Sequence, residues 1–267
     1  MNIRKYYKPL QPTITQSAEN VLYTEGAPDI SLLPFIYCYW QLKTRMRLAD
    51  SYLYRVISDG CIDAFFELNN PEESYVMGFC KSYMEFPLGK QFNYVGIRFL
   101  PSAFPLFFRQ NAGELSNIDI RLNLVLSDLA TSISHKFNNL QSFQQIKNKL
   151  DILLIKYLEK ANLSLDNRFS KALEIILKSQ GHVQILTDLD TGISPRHLRR
   201  LFEFYIGDTA KTFSQVVRFQ SFLNTAPSLQ ALQKNKLFYD MGYYDQSHFI
   251  KEFKTFYGIT PYKASVK

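Results

Sequence analysis

The sequence predicts an α+β protein whose strands come first, followed by an all-α C-terminal part with two helix-turn-helix units. Three observations predict it. Stretches rich in β-branched and aromatic residues are confined to the first hundred residues, apolar residues fall at helical spacing after Pro105, and one helix-sized segment occurs twice, 51 residues apart.

The strand part rests on VISDGCIDAFFEL (56–68) and FNYVGIRFL (92–100), with Asn, Pro, Gly and Asp punctuating between them. Several short strands broken this way suggest a sandwich or small barrel. In SDGC (58–61), Gly60 supplies the backbone freedom for a tight turn entering a strand, a structural role. Beyond Pro105, Val125, Leu129, Ile133 and Phe137 recur at helical spacing, and so do Ile146, Leu150, Leu153, Leu154, Tyr157 and Leu158. That second stripe suits a helix packed on its own domain or a seam between two copies of the chain, and periodicity alone does not separate the two. ANLSLDN (161–167), small and polar, is the expected linker into a short-looped helical region.

At 46% hydrophobic and 21% charged residues, the 267-residue chain can bury a core. No apolar run reaches the roughly 18 residues of a membrane span, and MNIRKYYKPLQPTITQ lacks a signal-peptide core, so a cytoplasmic protein with no membrane partner is expected. Cys38, Cys61 and Cys80 are odd in number and lack CxxC spacing, which favours reduced thiols. From residue 161 onward there are 14 Lys and Arg against 9 Asp and Glu, compared with 17 against 15 before it. A basic balance concentrated in one part fits a polyanion partner, although solvated lysines produce it too.

The repeated segment is GISPRHLRRLFEFYIGDT (192–209) and, later, GYYDQSHFIKEFKTFYGIT (242–260). Leu198 matches Phe249, Arg200 matches Lys251, Phe202 matches Phe253, Tyr205 matches Phe256 and Gly207 matches Gly258. Ser194 is a good N-cap with Pro195 at the first helical position, and Asp245 plays the acidic part at the second start. Both glycines can take the left-handed conformation that ends a helix. An apolar stretch precedes each copy, VQILTDLD (183–190) and LQALQKNKLFYDM (229–241), joined by a turn with Gly192 or Gly242. That is the helix-turn-helix plan. In it, one face of the second helix packs on the first helix while the opposite face near its N-terminus enters a major groove. The groove-facing candidates are Arg196, Arg199 and Arg200 in the first copy, and Gln246, Ser247, Ile250 and Lys251 in the second. Arg pairs bidentately with guanine, Gln with adenine, and Ile touches a thymine methyl. Solvated helix positions carry the same residue types, but two matching copies favour the groove reading.

At these residues the sequence resembles the AraC/XylS family of bacterial transcription regulators, whose C-terminal signature reads here as GYYDQSHFIKEFKTFYGITP (242–261). SPRHLRRLFEFYIG resembles the family's first recognition helix, and VVRFQSFLNTA (216–226) its connecting helix. The resemblance implies double-stranded DNA as partner, RNA polymerase as the contact of an activator, and the seven residues above as DNA-binding. His197 and His248 are weaker candidates, and His248 is expected to be structural beside Phe249. The chain departs from the family at Asp188 and Phe238, where a small alanine is usual. It departs again at Ala210, which stands in the place of a proline, and at Lys251 in the place of an arginine. PFIYCYW, VISDGCIDAFFEL, MGF and VGIRFLPSAFPLFF resemble a regulatory domain found before such units. It implies a cupin-like barrel followed by helices that sense an effector, dimerise, or both. The effector is open between a small molecule and a protein. The expected domains are 1–160 (barrel 1–105, helices 106–160) and 167–267.

An enzyme is not expected. The four histidines, His135, His182, His197 and His248, lie outside the β-rich part, and no nucleophile triad, phosphate-cradling loop or zinc-ligand pair appears. No cofactor, metal or catalytic residue is assigned. A single-stranded RNA reader wants exposed stacking aromatics, whereas the periodic aromatics here are committed to helix cores. Phe65, Phe66, Phe79, Phe86, Phe92 and Phe99 could line an apolar pocket or simply fill the core.

Overall fold

The structure is a computed structural model that describes residues 2–12, 20–137, 142–161, 163–225, 237–240 and 242–265. The strands are β1 (Val21–Gly26), β2 (Ile36–Thr44), β3 (Tyr52–Val56), β4 (Ile62–Glu67), β5 (Asn70–Met77), β6 (Met84–Leu88), β7 (Asn93–Phe99) and β8 (Asp119–Arg121). Six form an antiparallel sheet in the order β1-β2-β7-β4-β5-β8, and β3 pairs β6 in a second sheet. The expected run 56–68 is therefore two strands separated by the turn at 57–61, where Gly60 has φ of +70°. β8 also returns to the sheet within the stretch expected to be helical.

Alternation along β7 sorts side chains between two cores. Val95, Ile97 and Phe99 face the helices, while Tyr94, Gly96 and Arg98 face the space beneath the small sheet, with Trp40 and Leu42 of β2 and Tyr54 and Val56 of β3. Gly96 is required there, because a Cβ would sit 2.1 Å from the Trp40 indole. Gly96→Ala must push that indole aside and is expected to destabilise by about 1–3 kcal/mol, the usual cost of overpacking, read by chemical denaturation.

The helices are α1 (Ala103–Phe108), α2 (Leu122–Val125), α3 (Ser127–Lys136), α4 (Phe143–Lys160), α5 (Asn167–Lys178), α6 (Ile185–Asp188), α7 (Pro195–Tyr205), α8 (Ala210–Thr225), α9 (Leu237–Asp240), α10 (Gln246–Tyr257) and α11 (Pro261–Ser265). A Ser142–Gln145 capping box starts α4. Its stripe Ile146, Leu150, Leu153 and Leu154 is buried in the chain's own core, which favours the packed-helix account over the seam. Asp166 caps α5, whose first residue is Asn167, and residue 162 of the expected linker lies outside the described residues. Of the apolar stretch expected before the second copy (229–241), 229–236 and 241 lie outside the described residues. No helix among the described residues is long and apolar enough to cross a membrane.

Sheet and C-terminal helices share one apolar core that runs from Phe66 and Phe99 to Phe202 and Phe253. Polar contacts reinforce the junction. The Gln220 amide of α8 donates to the Ser58 carbonyl (2.8 Å), and its oxygen accepts from the Leu10 N–H (2.8 Å). Ser58 N–H in turn donates to the Phe256 carbonyl of α10 (3.2 Å).

Candidate nucleic-acid interface

Each repeated helix is built as its sequence demands. The Ser194 hydroxyl accepts from the His197 N–H (3.3 Å) to start α7, and Asp245 accepts from the His248 N–H (2.7 Å) to start α10. Gly207 and Gly258 follow with φ of +106° and +94°.

The buried faces correct one expectation. Phe202 of α7 meets Phe169 of α5 (centroids 5.0 Å) and Phe213 of α8 (6.3 Å), and Tyr205 stacks on Phe169 (4.9 Å). Phe249 of α10 meets Phe222 (4.9 Å), and Phe253 and Phe256 meet Phe219 (5.5 and 5.3 Å), all from α8. In the first unit α7 thus packs chiefly on α5 and α8 rather than on α6, and in the second the aromatic face of α10 packs on α8. The reason is local. α6 is a single turn with no buried residue, and Asp188, standing where a small apolar residue would pack, turns its carboxylate back to the Gln184 N–H (2.7 Å). In the second unit Phe238 does pack, stacked on Phe249 at 6.4 Å.

On the opposite faces all seven predicted residues are exposed: Arg196, Arg199 and Arg200 on α7, and Gln246, Ser247, Ile250 and Lys251 on α10. Three guanidinium groups therefore crowd the first two turns of α7, while α10 offers an amide, a hydroxyl, a methyl-bearing side chain and one ammonium. Arg199 is held by Glu203 (2.7 Å), a solvated i, i+4 pair that an external anion can displace. His197 is half-buried. His248 is exposed, edge-on to Tyr243 (5.7 Å), with Nε2 3.8 Å from Glu252.

Sequence reasoning missed a buried clasp between α8 and α10. Glu252 accepts from Arg218 Nη2 with both oxygens (2.9 Å each) and from Gln215 (3.1 Å), and the Arg218 guanidinium lies 4.3 Å over the Tyr243 ring. The signal was present: Glu252 falls three after Phe249 and four before Phe256, on the buried stripe, where a carboxylate needs a partner.

A second feature is a cavity of about 200 Å³ between the two sheets, walled by Trp40, Phe65, Tyr75, Tyr94, Phe86 and Leu88, with Asp119 at its edge. Behind Trp40 sits a buried ionic cluster. Arg98 reaches Asp63 (3.0 Å), Asp59 (3.4 Å) and Glu25 (3.8 Å), and the Trp40 indole N–H donates to Asp63 (3.0 Å). Burial pushes the Asp63 carboxyl up, to about 6, against the pull of Arg98. Phe65, Phe86 and Phe92 belong to this inter-sheet side, whereas Phe66, Phe79 and Phe99 fill the core toward the helices.

Residues 190–264 match a helix-turn-helix domain family, and residues 24–121 match a domain of unknown function, DUF6597. Among solved structures the chain is similar to ToxT from Vibrio cholerae O395, at 14% identity over 92% of this chain and 96% of that one, with a TM-score of 0.40. A second ToxT structure, bound to (E)-4-(8-methylnaphthalen-1-yl)but-3-enoic acid, is 12% identical over 93% and 99% of the two chains, with a TM-score of 0.44. No curated protein sequence is significantly similar to the chain.

Proposed function

We propose that this DNA-binding transcription regulator, an AraC-type helix-turn-helix protein over residues 190–264, reads two successive major-groove segments with α7 and α10. The observation that carries the reading is the division of both helices. Each buries its aromatic face on the shared α8 and exposes the seven polar, basic or methyl-bearing residues on the other. Two groove segments on one face of a duplex lie about 34–36 Å apart. Arg196, Arg199 and Arg200 supply guanine-type pairing and phosphate attraction, while Gln246, Ser247, Ile250 and Lys251 supply a less charged, more sequence-selective set. Binding should weaken with salt, since each neutralised phosphate releases counterions. The DNA-reading domain spans about 167–267, and 1–160 regulates it.

Arg199→Ala and Arg200→Ala are each expected to weaken binding to an in vitro-selected duplex by about 1–3 kcal/mol where the arginine pairs with a base. Gel-shift titration checks this, and wild-type affinity in both variants would sink the assignment of α7. In the same reading the promoter-bound protein raises transcription through contact with RNA polymerase. A reporter whose output falls on expression of the protein would make it a repressor instead.

The inter-sheet cavity is the proposed effector site, and its aromatic walls suit a small planar apolar molecule. Trp40 is the chain's only tryptophan and forms one wall, so its fluorescence reports occupancy. Indole-like or naphthalene-like probes are expected to shift or quench that emission saturably. Emission unchanged by every such probe would mean that the cavity is only a packing gap.

A further inference from the structure

We infer that the β5–β6 connection, residues 78–83, is a positioning element that sets the spacing between α7 and α10; its importance for DNA rests on the reading of those helices given above. Both helices end at a left-handed glycine, and the same short segment covers both ends. A Cβ on Gly207 would fall 2.8 Å from the Phe79 Cβ, and one on Gly258 would fall 2.9 Å from Tyr83 Cδ2. Glycine is thus needed at each position for its φ and for the close approach of this connection.

Polar contacts tie the segment to the same two ends. Lys81, exposed between Phe79 and Tyr83, places Nζ 2.9 Å from Asp208, the residue after Gly207. The Asp208 carboxylate is itself buried, and hydrogen bonds including the one from Lys81 hold its pKa below the ordinary carboxylate value despite burial. Tyr83 N–H donates to the Thr255 carbonyl in the last turn of α10 (3.0 Å). Six residues of the β-rich part therefore grip the C-terminal ends of both helices and leave their N-terminal turns exposed.

The connection is held rigidly from behind. Gly78 N–H donates to the Ile118 carbonyl (3.2 Å), the Phe79 carbonyl accepts from Asn117 N–H (2.7 Å), and Asn117 Oδ1 accepts from Lys81 N–H (3.2 Å). Gly78 lies so near the Leu115 carbonyl that a Cβ would fall 1.9 Å from its oxygen. The strands it joins are also walls of the inter-sheet cavity, β5 through Tyr75 and Met77 and β6 through Phe86 and Leu88.

A distance measurement on the full chain tests this. Spin labels at Arg200→Cys and Lys251→Cys, both exposed, report the separation of α7 and α10, and the three native cysteines are buried. The labelled parent should give one narrow distance distribution, Lys81→Ala/Tyr83→Ala a clearly broader or shifted one, and Tyr83→Phe the parent distribution. An unchanged distribution in a Lys81→Ala/Tyr83→Ala protein that still melts cooperatively would overturn the inference. Should that double variant fail to fold, Lys81→Ala alone, altered at an exposed side chain, is judged by the same criterion. On selected duplexes, two base pairs inserted between the contacted segments should cost the wild type about tenfold or more in affinity, and the double variant distinctly less. Failure to select any duplex would sink the DNA reading, whereas the label distances judge the positioning role independently.

Discussion

Replacing Arg98 by alanine is expected to destabilise the protein by about 3–5 kcal/mol, the cost of breaking a buried ion pair from one side. Arg98 is 1% exposed and neutralises Asp63 and Asp59, which are themselves buried. Without it, two carboxylates remain in an apolar interior with only hydrogen bonds from Trp40, Gln11 and the Cys61 N–H to hold them. The damage should not stop at the β-rich part. The Asp59 carbonyl accepts from Tyr7 Oη (2.8 Å), and the neighbouring Ser58 carries the bonds to Gln220 and Phe256, so the turn 57–61 is also the seat of α8. A thermal melt should show a loss on the order of 10 °C. Arg98→Met combined with Asp63→Asn should recover much of it. Removing both charges together leaves less uncompensated charge, and the new amide oxygen can still accept from the indole. A melt of Arg98→Ala within a degree or two of wild type would mean that water already solvates the cluster.

Much of this was legible in the chain, for identifiable physical reasons. The two repeated helices declared themselves because capping, aromatic spacing and terminal glycine act within one segment: Ser194 and Asp245 cap, and Gly207 and Gly258 terminate, as the local chemistry requires. The exposed set on α7 and α10 was readable for the same reason, since helical periodicity assigns both faces at once. What faced those helices was not readable, because partners come from distant sequence. The expectation that each unit's first helix would cover the second failed at α6, where Asp188 prefers to cap Gln184 and the packing falls to Phe169 and Phe213. SDGC reads as a turn, which it is, but its role as the seat of α8 depends on Gln220, 162 residues away from Ser58. Arg98 sits inconspicuously inside FNYVGIRFL. A lone arginine in an apolar strand is itself a demand for buried carboxylates, and Asp59 and Asp63 stand in or beside the strand it pairs with.

Glu252→Ala is the second large effect expected, and it separates holding a reading helix from reading with it. The Glu252 carboxylate points to α8 rather than to the exposed face, and its two oxygens fix α10 to α8 through Arg218 and Gln215. Alanine leaves the Arg218 guanidinium, 13% exposed, with the Tyr243 ring face and one long bond to the Gly242 carbonyl. The expected loss is about 3 kcal/mol, the low end for a broken buried pair, because Arg218 keeps an edge toward water. Denaturation should show it, and an affinity loss at the duplex segment read by α10 should accompany it, with protection by α7 retained in a footprint. Glu252→Gln keeps an acceptor for Arg218 while removing the charge, so it should fall between alanine and wild type in both readouts. Were Glu252→Ala to lose stability but keep full protection at both segments, α10 would be held by its aromatic contacts to Phe219 and Phe222 alone. The clasp would then serve folding rather than the register of the second helix on DNA.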